Sequence, residues 1–305
     1  MSYYLWLTLY WLANHLPERL GRALFALIGR LTFLVARRWR ANALDNMRHV
    51  LGPTASRREV ERTARAAVVH QFTNYWYMMR PPVPGDRWPG GSTVEGWEHL
   101  DEALARGRGV ILISAHFGSP EHLAELLRRE RGLRPLAPAE TIRPEKLYHW
   151  FVALREQRGG RGIPADQSAL DLIRALRRGE VIAVAADLDT TRQGEPTEFF
   201  GEPAQLPQGM GRLALMTGAA VVPVFVVRRP DWTFHTTFEP PLVFERTGNR
   251  EADLRRALRQ LAQVMERWIR AYPTQWTQFN PIWQWANVTE SPTSGIIDAD
   301  VHPPA

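Results

Sequence analysis

From residue 94 onward, short apolar runs alternate with amphipathic segments of helical periodicity, and this alternation most limits the possible folds. The apolar runs at 110–115, 181–186 and 221–227 each have the length of one strand. Strands joined through helices usually pair in parallel in a sheet with helices on its faces. The sequence therefore predicts an α/β domain with a mainly parallel central sheet flanked by helices. Further strands are predicted at 133–138 and 234–244, and helices at 57–79, 98–106, 120–129, 144–158, 169–178, 209–217 and 251–271.

The first of these strands runs directly into a histidine, His116, and a helix begins after a tight turn. Ser119 is a good N-cap and Pro120 suits the first helical turn, so Glu121 lies in that turn. The turn can bring the Glu121 carboxylate back to the imidazole, giving a general base and its partner that together activate a hydroxyl. The structural alternative is a histidine that ends a strand, followed by a glutamate favoured by the helix dipole.

Two carboxylates, Asp187 and Asp189, follow the strand 181–186. Ligands bind beyond the carboxyl ends of parallel strands, so Asp187 and His116 are expected to face one crevice. Paired carboxylates can also hold a divalent cation with a nucleotide diphosphate, which makes a metal-dependent glycosyltransferase the alternative function. The structural alternative is a polar turn at the strand end. A zinc site at His122 is rejected, because a turn separates this residue from His116.

The segment 18–40 has the pattern of a basic amphipathic helix, and aromatic residues crowd the segment 3–16 before it. This combination favours a helix in the headgroup plane of an anionic membrane. The alternatives are a surface helix that docks its apolar side on the core and a short membrane span by 3–16. On a helical wheel, the arginines Arg19, Arg22, Arg30, Arg37 and Arg40 lie within about 80°, opposite Leu20, Leu24, Leu27, Ile28, Leu31, Leu34 and Val35.

The balance of charges restricts the partners of the chain. The 305 residues carry a net charge of +6, and Lys146 is the one lysine among 38 basic residues. A basic surface attracts lipid headgroups, acidic carrier proteins and nucleotide phosphates. Nucleic acid is disfavoured because the basic stripe alternates with aliphatic residues. The absence of cysteine excludes disulfides and thiolate metal sites.

The domain boundaries follow from composition. We predict N-terminal interfacial helices at 1–40, a catalytic domain at 41–286 with a linker at 83–92, and a disordered tail at 287–305. Within the catalytic domain, 195–211 reads as a long loop. Its Phe199 and Phe200 either cover an apolar ligand or fill the core beneath the loop.

Three blocks of sequence occur in a fixed order. The first is VEGWEHL at 94–100, followed by GRGV at 107–110 and the His116–Glu121 pair. The second is AE at 139–140, followed by RPEKLY at 143–148 and Arg155. The third is DLDTTRQG at 187–194, followed by FFGEP at 199–203. Together they resemble the lipid A lauroyl/myristoyl acyltransferase family, and within it most of all the phosphatidylinositol mannoside acyltransferases, over roughly residues 20–285.

The resemblance implies a glycerolphosphate-acyltransferase-like fold and a membrane-associated O-acyltransferase. Such an enzyme moves a fatty acyl chain from acyl-CoA or an acyl carrier protein to a hydroxyl of a glycolipid or lysolipid. It would work at the cytoplasmic face of the inner or plasma membrane, held peripherally or by its N-terminus, without a cofactor or metal. The resemblance makes His116 the general base and Glu121 its partner, and it places Glu140, Arg155, Asp187, Phe199 and Phe200 around the substrates.

Overall fold

A computed structural model describes residues 3–82, 92–139, 142–164, 168–189 and 194–283. Four helices come first: α1 Tyr3–His15, α2 Glu18–Val35, α3 Arg37–Leu51 and α4 Arg57–Met79. The remaining helices are α5 Trp97–Ala105, α6 Pro120–Arg131, α7 Glu145–Gln157, α8 Ser168–Arg177, α9 Gly209–Thr217, α10 Arg250–Ala271 and a short 3-10 helix, Pro273–Gln275. The strands are β1 Ser92–Glu95, β2 Val110–Ser114, β3 Leu136–Ala139, β4 Arg161–Pro164, β5 Val181–Ala185, β6 Glu195–Phe199, β7 Glu202–Leu206, β8 Ala220–Arg228 and β9 Phe234–Phe238.

Seven of these strands form one sheet in the order β1-β9-β8-β2-β5-β3-β4. Every pairing in it is parallel except the β8–β9 hairpin, so the predicted α/β class with a mainly parallel sheet is confirmed. The central strand β2 pairs with β5 in a register that sets Ser114 beside Ala185. The residues two positions beyond each, His116 and Asp187, therefore leave the same edge of the sheet side by side.

The segment 195–211 is where the predicted elements differ most from the fold. Instead of a long loop, it begins with the antiparallel hairpin β6–β7, which forms a separate two-stranded sheet. Phe200 and Gly201 make the tight turn, with φ angles of 53° and 82°. The sequence did not predict this hairpin, because both strands contain proline and glutamate, which are rare in strands.

The segment 18–40 is not one helix. Ala36 has φ −84° and ψ 82°, a conformation outside the helical region that ends α2 and starts α3. The predicted arginine stripe is therefore wrong as one continuous face. Arg22 lies over the ring of Trp232, with the guanidinium carbon 3.9 Å from the ring centroid. Arg40 belongs to α3 and pairs with Glu61 at 3.2 Å.

Helix α2 packs on α4 through glycines and phenylalanines rather than through its leucines. Its buried positions are Gly21, Phe25, Gly29 and Phe33, which repeat every four residues along one side. The docking of the leucine side on the core, one of the sequence-based alternatives, is therefore wrong. The opposite side is an apolar ridge whose residues are between 47% and 75% exposed. We call it the leucine ridge: Leu20, Leu27, Leu31, Leu34 and Val35.

The hydrophobic core is continuous across residue 40. Trp6, Phe25 and Phe33 of the N-terminal helices belong to the same buried cluster as the strands of the sheet. Across the described ranges, no helix combines the length and the apolar character needed to cross a membrane. The predicted tail at 287–305, and all of the predicted linker at 83–92 except residue 92, lie outside the described residues.

Gly29→Val tests the packing of α2 on α4. A Cβ at residue 29 would lie 2.9 Å from the Cα of Val69, so the two helices would have to move apart. We expect this variant to lose about 1–3 kcal/mol of unfolding free energy, measured by chemical denaturation. Val35→Ala, on the exposed side of the same helix, is the control and should change it by about 0.5 kcal/mol or less. Equal stability of Gly29→Val and the wild type would contradict this packing.

Candidate active site

The imidazole of His116 and the carboxylate of Asp187 form a hydrogen-bonded pair. Nδ1 of His116 lies 2.7 Å from Oδ1 of Asp187. The backbone N–H of His116 also donates to both carboxylate oxygens, at 3.0 Å each. Asp187 is fully buried, whereas the His116 side chain is 45% exposed. The pair thus has a fixed, protected carboxylate and a ring that substrate can reach.

The second oxygen of Asp187 accepts a hydrogen bond from the indole of Trp276, with Nε1 2.7 Å from Oδ2. Burial by itself raises the pKa of the Asp187 carboxyl. The charge and hydrogen bonds of His116 and the hydrogen bond from Trp276 outweigh burial, so this pKa lies below its ordinary value. Asp187 is therefore ionised at neutral pH and can stabilise positive charge on the imidazole.

The sequence predicted Glu121 as the partner of His116, and the structure corrects this, because Asp187 occupies Nδ1. Glu121 begins α6 and is buried at the cleft wall, where Oε1 lies 3.7 Å from Nε of Arg155. The hydrogen-bond partner of His116 is set by the register of β2 and β5, which connects residues 71 positions apart. The short sequence spacing from His116 to Glu121 gave no information about that register.

An open cleft lies beside His116, bounded mainly by α4, α7 and the residues after α10. Arg155 lines it, and its side chain is 47% exposed. Its apolar lining residues include Trp39, Tyr75, Met78, Ile142, Phe151 and Val152. Its polar lining residues include Gln71, Glu121, Arg155, Thr277, Gln278 and Asn280.

Residues 275–283, which we call the C-terminal strap, form one wall of this cleft. Thr277 donates its backbone N–H to the carbonyl of His116 at 2.7 Å. Asn46 of α3 donates to the carbonyl of Gln278 at 2.8 Å and fixes the strap from behind. Sequence reasoning missed this segment. Its signal was two tryptophans and several amide side chains directly after the last helix, a composition unlike that of a solvated tail.

The turn after His116 is held by a buried polar network. The carbonyl of Gly118 accepts from Nε2 of His70 at 3.0 Å and from Nδ2 of Asn74 at 2.6 Å. Arg228 donates to the other ends of both side chains. Burial, followed by the charge of Arg228, holds the pKa of His70 well below its ordinary value, so this histidine is neutral. Gly118 has φ 61°, and a Cβ there would overlap the carbonyl of Val226.

Phe199 and Phe200 do not form a wall of the cleft as predicted. Phe199 is fully buried and Phe200 nearly so, and their rings pack against Trp276 and Trp283. The structure therefore matches the alternative in which two aromatic residues fill the core beneath a loop. They support the strap rather than contact a ligand in the cleft.

The other residues singled out from the sequence have different surroundings. Asp189 accepts a hydrogen bond from the backbone of Gly194. His122 is fully buried, and its Nε2 lies 3.1 Å from the hydroxyl of Ser92. Glu140 lies outside the described residues. In the described part of the chain, no group of three or more histidine, aspartate and glutamate side chains could hold a metal ion.

The known proteins that this chain is similar to are acyltransferases. The profile of the family described as bacterial lipid A biosynthesis acyltransferase matches residues 1–285. The phosphatidylinositol mannoside acyltransferase of Mycobacterium tuberculosis (strain CDC 1551 / Oshkosh) is 30% identical over 256 residues, which are 81% of this chain and 77% of that protein. The lipid A biosynthesis lauroyltransferase of Escherichia coli K12 is 27% identical over 72% of each chain. The crystal structure of the 1-acyl-sn-glycerophosphate acyltransferase of Thermotoga maritima aligns with a TM-score of 0.38 and 14% identity, over 84% of this chain and 99% of the other.

The Asp187 carboxylate should make part of the stability depend on pH. Because its pKa is lowered in the folded protein, its ionised form stabilises the fold above the unfolded value of about 3.9. This contribution is lost as the pH falls through the lower, folded value. We expect the difference in unfolding free energy between the wild type and Asp187→Asn, measured by denaturation across pH, to be largest near neutrality and to shrink below about pH 4. A constant difference down to about pH 2 would contradict a buried, ionised carboxylate.

Proposed function

Because the chain belongs to the bacterial lipid A biosynthesis acyltransferase family and is therefore an acyltransferase, we propose that it acylates a hydroxyl of a glycolipid or lysolipid acceptor. The acyl donor in this proposal is a thioester, either acyl-CoA or an acyl carrier protein. Family membership overturns the alternative of a glycosyltransferase that uses Asp187 and Asp189. The observation that carries the proposal is the 2.7 Å bond between His116 and the buried Asp187 at the edge of the cleft.

In the proposed reaction, His116 is the general base. Its Nδ1–H is held by Asp187, and Nε2 takes the proton of the acceptor hydroxyl as the oxygen attacks the thioester carbonyl. The tetrahedral intermediate then collapses, the carbon–sulfur bond breaks, and the imidazolium returns the proton to the departing thiolate. The acyl group passes directly to the acceptor. The ionised Asp187 stabilises the imidazolium between the two proton transfers.

Arg155 is the proposed stabiliser of the oxyanion that forms on the thioester carbonyl. Its guanidinium is on the cleft side of α7, and Glu121 lies 3.7 Å away on α6. A fixed positive group aimed at developing negative charge lowers the barrier to acyl transfer. Glu121 thus has a proposed role that differs from the one its sequence spacing indicated: it orients Arg155.

The mixed lining of the cleft supports two kinds of substrate group. Apolar lining residues such as Tyr75, Met78 and Phe151 are suited to a fatty acyl chain. Polar lining residues such as Gln71 and Asn280 are suited to an acceptor rich in hydroxyl groups, because amides both donate to and accept from hydroxyls. The relatives are named for acylation of a phosphatidylinositol mannoside and for lipid A biosynthesis, which supports a glycolipid acceptor.

His116→Ala tests the base. We expect acyl transfer from labelled acyl-CoA to a glycolipid fraction to fall at least about a hundredfold, because the acceptor hydroxyl loses its proton acceptor. His149→Ala removes an exposed histidine of α7 that pairs with Glu145, and it should keep wild-type turnover. Thermal unfolding checks that both variants are folded. Near-normal turnover by folded His116→Ala would refute the assignment.

The proposed location is the cytoplasmic face of the inner or plasma membrane, with the protein bound peripherally. The leucine ridge of α2 supports this, because such a contiguous exposed apolar surface is unusual outside binding sites. Arg19 and Arg30 are exposed on the same helix and could meet anionic headgroups.

Helix α1 adds exposed Tyr4 and Trp11, and its buried Trp6 packs on Phe151 of the cleft. Membrane binding by α1 and α2 would thus bring lipid near the cleft.

Liposome flotation tests the leucine ridge. We expect wild-type protein to float with vesicles that contain anionic phospholipid. The triple variant Leu27→Ser, Leu31→Ser, Leu34→Ser should lose at least about nine-tenths of the bound fraction, since each exposed leucine contributes apolar area to membrane binding. The control carries Leu170→Ser and Met216→Ser, two positions on α8 and α9 that are 65% and 71% exposed. Unchanged flotation of the triple variant would count against peripheral binding through α2.

A further inference from the structure

Trp276 is connected to the proposed base through Asp187. Its side chain is fully buried, and its indole N–H donates to Oδ2 of Asp187 at 2.7 Å. The other oxygen, Oδ1, accepts from the His116 ring at 2.7 Å. The carboxylate is thus held between an indole on one side and an imidazole on the other. A small rotation of Asp187 about its χ angles would break both bonds.

The backbone on both sides of Trp276 is tied to the turn that carries His116. Gly118 donates its N–H to the carbonyl of Gln275 at 2.9 Å, and Phe117 forms an antiparallel bridge with Trp276. On the other side, Thr277 donates to the carbonyl of His116 at 2.7 Å. The positions of the indole and the imidazole are therefore coupled through the main chain as well as through the carboxylate.

The chemistry of indole suits this position. An indole N–H is a donor only, and it does not titrate in the physiological range. It therefore stabilises the ionised form of Asp187 without ever competing for the proton that His116 takes up. A hydroxyl or an amide at the same place could rotate and offer an acceptor, which would favour a protonated carboxyl instead.

We propose that Trp276 is a positioning residue for acyl transfer, acting through Asp187 to hold the His116 ring in its reactive tautomer and orientation. The proposal rests on the proposed function, since it takes His116 as the base. Trp276 itself lies behind the carboxylate and touches no substrate. The C-terminal strap that carries it thereby becomes part of the catalytic apparatus, although it follows the last long helix of the fold.

Trp283 offers a matched control within the same aromatic cluster. Its ring centroid lies 6.5 Å from that of Trp276. Its indole N–H also makes a hydrogen bond, which is part-buried and goes to the backbone carbonyl of Phe199 at 3.1 Å. Replacing either tryptophan by phenylalanine removes one N–H donor and part of one ring. The loss of a donor to the carboxylate is specific to Trp276→Phe.

We expect Trp276→Phe to lower kcat about tenfold and to change KM less than about twofold, because a hydrogen bond to a buried charge is lost away from the substrate. A carboxylate with one donor fewer should attract the proton on the imidazole more strongly. The acid limb of the pH–kcat profile should therefore move up by about half a pH unit or more. Trp283→Phe should leave the acid limb where it is in the wild type.

A titration of wild-type protein tests the same coupling without relying on the activity of the variants. The indole N–H resonances of the twelve tryptophans can be observed with ¹⁵N-labelled tryptophan, and the Trp276 resonance is the one missing from the spectrum of Trp276→Phe. We expect the Trp276 resonance to shift with the same midpoint as the acid limb of activity. In His116→Ala this shift should disappear.

The outcomes separate this inference from the proposed function. If the wild type transferred no acyl group, the proposed function would fail, and if folded His116→Ala kept its activity, the assignment of His116 as the base would fail. In either case the indole titration would still report whether Trp276 and His116 are coupled. A folded Trp276→Phe with wild-type kcat and an unmoved acid limb would overturn the role of Trp276. So would a Trp276 resonance that does not respond to the titration of His116.

Discussion

The structure depends above all on the parallel register of β2 and β5. This pairing sets Ser114 beside Ala185 and carries His116 and Asp187 out of the sheet as neighbours. A buried carboxylate is unfavourable unless several donors hold it. Here the backbone and ring of His116 and the indole of Trp276 supply those donors. The pair is therefore possible because the sheet edge and the strap close over Asp187 from opposite sides.

The helices around this pair have two kinds of surface: buried sides that hold the site rigid, and an outward side that stays exposed. Gly118 is fixed from α4 by His70 and Asn74, with the half-buried Arg228 behind them. The strap is fixed by Asn46 of α3. Helices α1 and α2, which composition alone would set apart as a membrane attachment, also contribute Trp6, Phe25 and Phe33 to the continuous core. Their outward side keeps the leucine ridge exposed.

Much of the local structure could be predicted from the sequence because its causes are local. The apolar runs gave β2, β5 and β8, and Ser119 followed by Pro120 gave the start of α6. The position of His116 at a strand end was likewise predicted, because the apolar run stops just before it. The hairpin β6–β7 was not, because its strands carry proline and glutamate and are held by packing on the strap. The break at Ala36 has no proline or glycine to mark it.

The sequence by itself determined the class of fold, the family and the histidine at the centre of the site, since strand periodicity, helix caps and short motifs act over a few residues. Tertiary structure alone decided which acid holds that histidine, which side of α2 is exposed, and that Trp276 donates a hydrogen bond to this acid. The reason is physical: strand register and helix packing are selected by contacts between residues far apart in the chain, such as His116 with Asp187 and Trp276. The spacing between Glu121 and His116 suggested a pair, but it could not show that Asp187, which follows the neighbouring strand, binds the His116 ring instead.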